Sequence, residues 1–404
     1  MVTGADKRGV MGRLASFFGI ISKVKSPDLT VIQDRCVAVR NKNAQCGRCA
    51  QNCTGGCITL VDNELVVAPE KCVSCGTCSA VCPTEAIRMT RPTDDGLVDA
   101  AIRASEAADG MAIFACQQIL DAASGLFDPT KVAAVKCLGR VDEYMMIKCI
   151  AEGYSRVVLV HSDCSRCDRR AGFPAVERAR ANALAIMDTW HIPGTITLAD
   201  KLPSRSKAVA SEAYDSSRRG FFSEVRDSLK GVAVATAVTM VDGEIDMDEQ
   251  PASPTKVDDR GVLPQHYPAR RGVLLGILDA AGAPEEGAVI DSRMWATLSI
   301  DTDACTSCRM CATFCPTGAI FKFHTKKGAI GVKHRPRQCV ACGTCADICP
   351  KKAITLSYEV PADLIASGEV TRFAMKPEER EATGIQSILH AMQGLLDMTQ
   401  VYER

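Results

Sequence analysis

CVACGTCADICPKKAI, residues 339–354, decides the architecture, because the chain spells it three times. CVSCGTCSAVCPTEAI at 72–87 and CTSCRMCATFCPTGAI at 305–320 share its form, C-x2-C-x2-C-x3-C-P closing on Ala-Ile. Self-similarity of this kind marks a repeated structural unit. Cysteines two or three residues apart are too close for good disulfide geometry but suit the wrapping of one metal centre. A cubane of four irons and four sulfides needs four thiolates arriving from different directions. Three come from the tight loop; the fourth, carried past a helical step and set before proline, points to the neighbouring cluster. Two such units therefore act as one cooperative pair. The spacing predicts one 4Fe-4S cluster on Cys305, Cys308, Cys311 and Cys349, and a second on Cys339, Cys342, Cys345 and Cys315. A zinc ribbon, the competing reading, does not demand the x3-C-P ending in both motifs.

A fourth run, CGRCAQNCTGGC from Cys46 to Cys57, breaks the pattern. Aligned by its C-x2-C-x3-C core, it sets Cys46, Cys49 and Cys53 against Cys75, Cys78 and Cys82. Thr54 then takes the proline place, Cys57 the alanine place and Asn43 the place of the first cysteine. The run has lost its first ligand, and Cys36 from upstream or Cys57 from downstream could replace it. Cys36 is preferred, because an extended lead-in can bring it to the vacant corner, while Cys57 opens the strand-like CITLV and can be a small core residue. Crossed ligation assigns Cys46, Cys49, Cys82 and Cys36 to one cubane, and Cys72, Cys75, Cys78 and Cys53 to the other.

The totals agree with metal ligation. The chain has 404 residues and 22 cysteines, enough length for roughly two to four domains. Lys plus Arg and Asp plus Glu are 48 each, so no global basic field recommends nucleic acid as a partner, and an aromatic content of 5% makes base-stacking platforms a poor fit. No apolar run approaches the ~20 residues that cross a bilayer. MGRLASFFGIISKV near the N-terminus reads as a cytoplasmic amphipathic helix, packed on its own domain or docked on a partner or membrane surface. SSRRGFF at 216–222 resembles a twin-arginine signal but lies mid-chain, where such a signal cannot act.

Between the cysteine-rich ends, MAIFAC, VAAVKC and RVVLVHSDC are short apolar runs separated by helical patterns at about 117–125 and 141–152 and followed by another from Pro174. Strand alternating with helix predicts a small parallel sheet with helices on its faces. Cys116, Cys137 and Cys164 each close a predicted strand, and the carboxyl ends of parallel strands lie on one edge. Topology thus gathers three thiols, with Cys167 as the fourth, into a site for a 2Fe-2S cluster, with zinc as runner-up. Cys149, within MMIKCIAEG, reads as a buried core residue, and His161 as an edge residue beside the site.

Cys116, KCLGRVDEYMMIKCIAEG at 136–153 and VVLVHSDCSRC at 157–167 together resemble the delta subunit of methyl-viologen-reducing hydrogenase. That family is an iron-sulfur electron-transfer subunit linking hydrogenase or formate dehydrogenase to heterodisulfide reductase. The resemblance implies a 2Fe-2S cluster on Cys116, Cys137, Cys164 and Cys167. The chain departs from the family pattern in having a single cysteine in FACQQ. The cysteine-rich ends are similar to bacterial-type two-cluster ferredoxins.

The expected fold is α+β and multidomain: two ferredoxin-like dicluster modules, 31–95 and 291–360, flank a small parallel-sheet, flavodoxin-like α/β domain at 105–200. Residues 1–30 form the N-terminal helix, 201–290 a linker and helical region in which GVLLGILDAAGAP is a core helix, and 361–404 a helical tail with an apolar face from Ile388 to Leu396. The expected function is a cytoplasmic, multi-cluster electron-transfer subunit of an anaerobic oxidoreductase complex, with a flavoprotein, hydrogenase or dehydrogenase as partner. No dinucleotide loop, P-loop, nucleophile elbow or H-E-x-x-H motif offers a substrate site. A redox or oxygen sensor, or a catalytic subunit with a substrate at an open-coordinated cluster, are the alternatives.

Overall fold

The computed structural model describes residues 28–207 and 261–376. The SSRRGFF stretch, the amphipathic C-terminal face and all but the end of the N-terminal helix expected from sequence lie outside the described residues.

The chain opens with β1 (Leu29–Val31), the hairpin strands β2 (Ile58–Val61) and β3 (Glu64–Val67), and β4 (Ile87–Met89). Asp62 and Asn63, both at positive φ (48° and 61°), make the two-residue turn whose twist matches the flanking strands. β1 and β4 pair antiparallel, Leu29 opposite Met89. Leu29, Ile58, Leu65 and Ile87 bury a small core that Cys36, Cys57 and Cys78 share.

Helix α1 (Asp94–Ala107) starts at Thr93, whose hydroxyl accepts the Gly96 N–H at 3.1 Å, with Asp94 and Asp95 in the first turn favoured by the helix dipole. The chain then runs β5 (Met111–Cys116), α2 (Gln117–Ala122), β6 (Ala133–Val135), α3 (Glu143–Ala151), β7 (Arg156–Val160), α4 (Gly172–Thr189) and β8 (Thr195–Ala199). The four strands form one parallel sheet in the order β6-β5-β7-β8, with Ala115 opposite Ala134 on one side and Val160 on the other. Every residue of β5 is buried, as an interior strand covered on both faces requires. Cys149 on α3 is fully enclosed in the core beneath the sheet.

Past residue 261 come α5 (Ala269–Ala281), β9 (Val289–Asp291), β10 (Thr297–Ile300), β11 (Ile320–His324), β12 (Ile330–His334), β13 (Ile354–Ser357), β14 (Glu359–Pro361), α6 (Ala362–Ser367) and β15 (Thr371–Met375). β10 pairs with β13, β9 with β14, and β11, β12 and β15 form an antiparallel sheet. Leu274, Leu275 and Leu278 lie on one face of α5 and enter the core of the parallel-sheet domain, as do Trp295, Val360 and Ile365. The C-terminal elements are therefore packed onto the centre of the molecule. Among the described residues, no helix is long and apolar enough to cross a membrane.

Candidate iron-sulfur centres

All 22 cysteines are free thiols. The three regular units share one backbone. Ser74 and Gly76, Ser307 and Arg309, and Ala341 and Gly343 are paired residues at positive φ around the second cysteine of each loop. Such alternation turns successive N–H groups inward, a concavity that favours negative charge. At Gly76 (φ 79°) a side chain is excluded as well, since a Cβ would lie 2.3 Å from Arg140 Cδ. One helical turn follows in each unit, Thr77–Ala80, Met310–Thr313 and Thr344–Asp347, and carries the third cysteine. After the fourth cysteine and its proline, Glu85, Gly318 and Lys352 again take positive φ. That turn aims an N–H at the fourth sulfur: Ala86 donates to Cys82 Sγ at 3.2 Å, Ile320 to Cys315 at 3.4 Å and Ala353 to Cys349 at 3.4 Å.

The fourth thiol of one unit, Cys315, acts on the thiols of the neighbouring loop. Burial pushes Cys342 up to about 11 and Cys339 up to about 12, and the Cys315 thiol adds to both. Cys345 is raised well above its ordinary value by burial, then by Cys342, Cys339 and Cys315. In the other loop of this module Cys311, up to about 12, is raised by burial and then by Cys308 and Cys305. Cys305 and Cys349 pack against the same small core. Cys308 is the exposed thiol of the chain. Thiols raised by burial and then by one another could hold iron, whose positive charge would remove the penalty on ionising them.

The irregular run has a different backbone. Gly47, matching Gly76, sits at φ −121°, and the Asn41 side chain accepts the N–H of Asn43, where the first cysteine would stand. Cys36, buried at the start of the turn Val37–Arg40, is pushed up to about 11 by burial, with Cys82 and Cys46 adding. Cys49 rises to about 12 through burial and then Cys82, Cys36 and Cys46. Cys36, Cys46, Cys49 and Cys82 thus form one group. Cys57 belongs elsewhere: its sulfur is 3.3 Å from Cys53, and burial followed by Cys53 and Cys72 raises its pKa. Cys78 is raised by burial, then by Cys75, Cys49, Cys72 and Cys53.

Cys116 ends β5, Cys137 follows β6 and Cys164 follows β7, so their thiols meet at the carboxyl edge of the sheet, where Cys167 joins them around one small cavity. Burial raises Cys164 to about 11, with Cys116 and Cys167 adding. Gly139 and Arg169 donate backbone N–H groups to Cys137 and Cys167, both at 3.4 Å. Gly172 approaches so closely that a Cβ there would lie 2.3 Å from Cys137 Sγ. His161 lines the same cavity, its ring tilted on Phe173 at 4.8 Å and Nδ1 2.9 Å from the Ser162 carbonyl. No three His, Cys, Asp or Glu side chains among the described residues converge on a point as a single metal ion requires. A cluster, whose inorganic atoms fill the space between its ligands, does not ask that of them.

The groups abut one another across the domains. Arg48, beside Cys49, donates to the Ala341 carbonyl at 2.6 Å, and Gln45 N–H to Asp347 at 2.8 Å. Burial and then Cys315 raise Cys342, and Cys46 adds to them. Toward the parallel-sheet domain Arg169 donates to the Val73 carbonyl at 3.4 Å and Ala171 N–H to Thr54 Oγ1 at 2.9 Å, and Cys75 adds to the rise that burial causes in Cys137.

Sequence reasoning did not single out Arg270. This buried guanidinium contacts Glu85, Asp94 and Asp142 and donates to the Ser79 carbonyl at 2.9 Å. Burial opposes its charge, but Asp142, Asp94 and Glu85 outweigh that and hold its pKa above the ordinary arginine value. Burial likewise opposes the charge of Asp94, and Arg270 and Arg140 outweigh it, keeping the carboxyl below its usual range. Glu85 also accepts the N–H groups of Ala269 and Arg270, at 3.1 and 2.9 Å, and so caps α5. One ion cluster thereby joins the first cysteine module, the parallel-sheet domain and α5. Beside it lies a cavity of about 670 Å³, lined among others by Arg48, Cys82, Tyr144, Arg178, Arg271 and Val340.

No curated protein and no solved structure matches the chain. Residues 304–353 match the family model described as a 4Fe-4S dicluster domain, and residues 65–88 that of a 4Fe-4S binding domain. The chain therefore contains two 4Fe-4S ferredoxin-type domains together with a parallel four-stranded sheet.

Proposed function

We propose that the chain is a five-centre electron relay: four 4Fe-4S clusters in two ferredoxin-like modules (31–95 and 291–360) and one 2Fe-2S cluster in the α/β domain (105–200) between them. The ligands would be Cys36, Cys46, Cys49 and Cys82; Cys72, Cys75, Cys78 and Cys53; Cys305, Cys308, Cys311 and Cys349; Cys339, Cys342, Cys345 and Cys315; and Cys116, Cys137, Cys164 and Cys167. The observation that carries the reading is that the cysteine loops of successive domains touch: Arg48 beside Cys49 donates to the Ala341 carbonyl beside Cys342, and Arg169 to the Val73 carbonyl beside Cys72. Bound there, the clusters supply one-electron exchange. The protein's part is to hold the thiols, exclude water and direct N–H groups at the sulfurs.

The pairwise contacts favour one linear order. The Cys305 group would be one terminus, with Cys308 exposed for a partner, then the Cys339, Cys46 and Cys72 groups, and the Cys116 group at the other end. The strand order β6-β5-β7-β8 supports the flavodoxin-like reading of the α/β domain, and its four edge thiols support the resemblance to the hydrogenase delta subunit. By that resemblance the partners are subunits of an anaerobic redox complex, a flavoprotein at one end and a hydrogenase or dehydrogenase at the other. Free thiols throughout suit a reducing compartment such as the cytoplasm.

Reductive titration of anaerobically purified protein, followed by electron paramagnetic resonance with iron and zinc assayed, tests the reading. About 18 irons per chain, with distinct two-iron and four-iron signals, are expected from these ligand sets. Two irons fewer with zinc in their place would overturn the two-iron assignment.

A further inference from the structure

In each regular unit the fourth sulfur is met by a backbone N–H from the turn that follows it, at 3.2 Å on Cys82 and at 3.4 Å on both Cys315 and Cys349. The irregular run keeps the turn, since Gly56 takes positive φ (57°) after Cys53 as Glu85, Gly318 and Lys352 do after their cysteines. It does not keep the N–H: among the described residues no backbone donor reaches Cys53 Sγ. The side chain of Cys57 stands there instead, its sulfur 3.3 Å from that of Cys53. The fold holds it in place. The Cys57 carbonyl, just before β2, accepts the N–H of Ala68, just after β3, at 2.8 Å, and the side chain is 4% exposed, packed in the small core with Leu29, Ile58 and Leu65. Cys72, the other thiol that acts on Cys57, belongs to the same proposed ligand set as Cys53.

We propose that the Cys57 thiol is a hydrogen-bond donor to Cys53 and in that role raises the reduction potential of the cluster on Cys72, Cys75, Cys78 and Cys53. The proposal rests on the ligand sets given above. A ligating cysteine is a thiolate with no proton to give, so the donor of this pair is Cys57, which burial keeps as a thiol. Reduction adds one negative charge to the centre, shared by its sulfurs. A proton directed at one of them inside a core of low dielectric constant favours that charge. The electron comes from a neighbouring centre of the relay, the thiol keeps its proton, and no bond is made or broken. In the regular units the same position is Ala86, Ala319 and Ala353, whose methyl groups donate nothing.

The test is a potentiometric titration of the full-length, iron-loaded chain by electron paramagnetic resonance, comparing the native protein with Cys57→Ala and Cys57→Ser. The alanine variant, which copies the regular units, is expected to keep its iron and lower the midpoint of one four-iron signal while the others stay in place. Serine keeps a donor and is expected to stay near the native value. An alanine variant with full iron and unmoved midpoints overturns the proposal, as does a serine variant displaced as far as alanine. If alanine yields no folded chain, serine alone decides: a retained midpoint supports the hydrogen bond and a lowered one overturns it. A folded alanine variant short of about four irons makes Cys57 a ligand and overturns the proposal together with the ligand set, a failure distinct from unmoved midpoints in a loaded chain.

Discussion

The thiol of Cys57 stands 3.3 Å from that of Cys53, in the position that alanine holds at Ala86, Ala319 and Ala353 in the regular units. It is therefore grouped with Cys53 and Cys72, whereas the thiols that act on Cys36 are Cys82 and Cys46. Cys36→Ala is expected to remove one cubane, about four irons per chain, and Cys57→Ala none. Iron analysis with spin quantification of the reduced protein decides it. The reverse pattern would mean that Cys57 is the ligand.

Arg270→Gln leaves Glu85, Asp94 and Asp142 facing one another, with Arg140 paired to Asp94 to offset them. Removing one partner of a buried ion cluster costs about 3–5 kcal/mol. Anaerobic denaturant titration of the loaded protein should show a loss of that order. A change below about 1 kcal/mol, the size of an exposed pair, would show that the cluster contributes little.

Gly172→Ala puts a methyl group 2.3 Å from Cys137 Sγ and 3.3 Å from Gly139 Cα. Overpacking of this kind costs about 1–3 kcal/mol, and here the strain falls on a proposed ligand. The two-iron signal should weaken while the four-iron signals persist. Gly272→Ala on α5, with nothing within 4 Å, is the control and is expected to be neutral or stabilising by up to about 1 kcal/mol.

Cys137→Ser is expected to abolish the two-iron signal at full four-iron intensity, and Cys149→Ser to leave both, since Cys149 is fully enclosed in the apolar core. Visible absorption and metal analysis of the two variants check this. Loss of zinc instead of iron from Cys137→Ser would make the site a zinc site.

Much of this was legible in the sequence because it is local. C-x2-C-x2-C-x3-C-P sets loop, helical turn and fourth thiol within a dozen residues, and the three copies have the same pattern of positive φ. The strand ends at Cys116, Cys137 and Cys164 were legible for a related reason: in a parallel sheet, chain direction alone puts successive carboxyl ends on one edge. Cys36 was the preferred partner of Cys46 on a weaker basis, and what groups it with Cys46, Cys49 and Cys82 is the path of the chain between β1 and β2. The role of α5 was half visible. Its apolar face announced a core helix, but which core it enters depends on elements far away in sequence.

The spacing and the backbone conformation of each cysteine loop are short-range properties that neighbouring residues impose, and so they can be read along the chain. Which loops touch and which charges stand between them depends on contacts between residues far apart in sequence. Glu85, Asp94, Asp142 and Arg270 carry no common motif. Their meeting follows from the docking of helix α5 against the first cysteine module and the parallel-sheet domain, where burial makes each charge depend on its partners far more than it would in water.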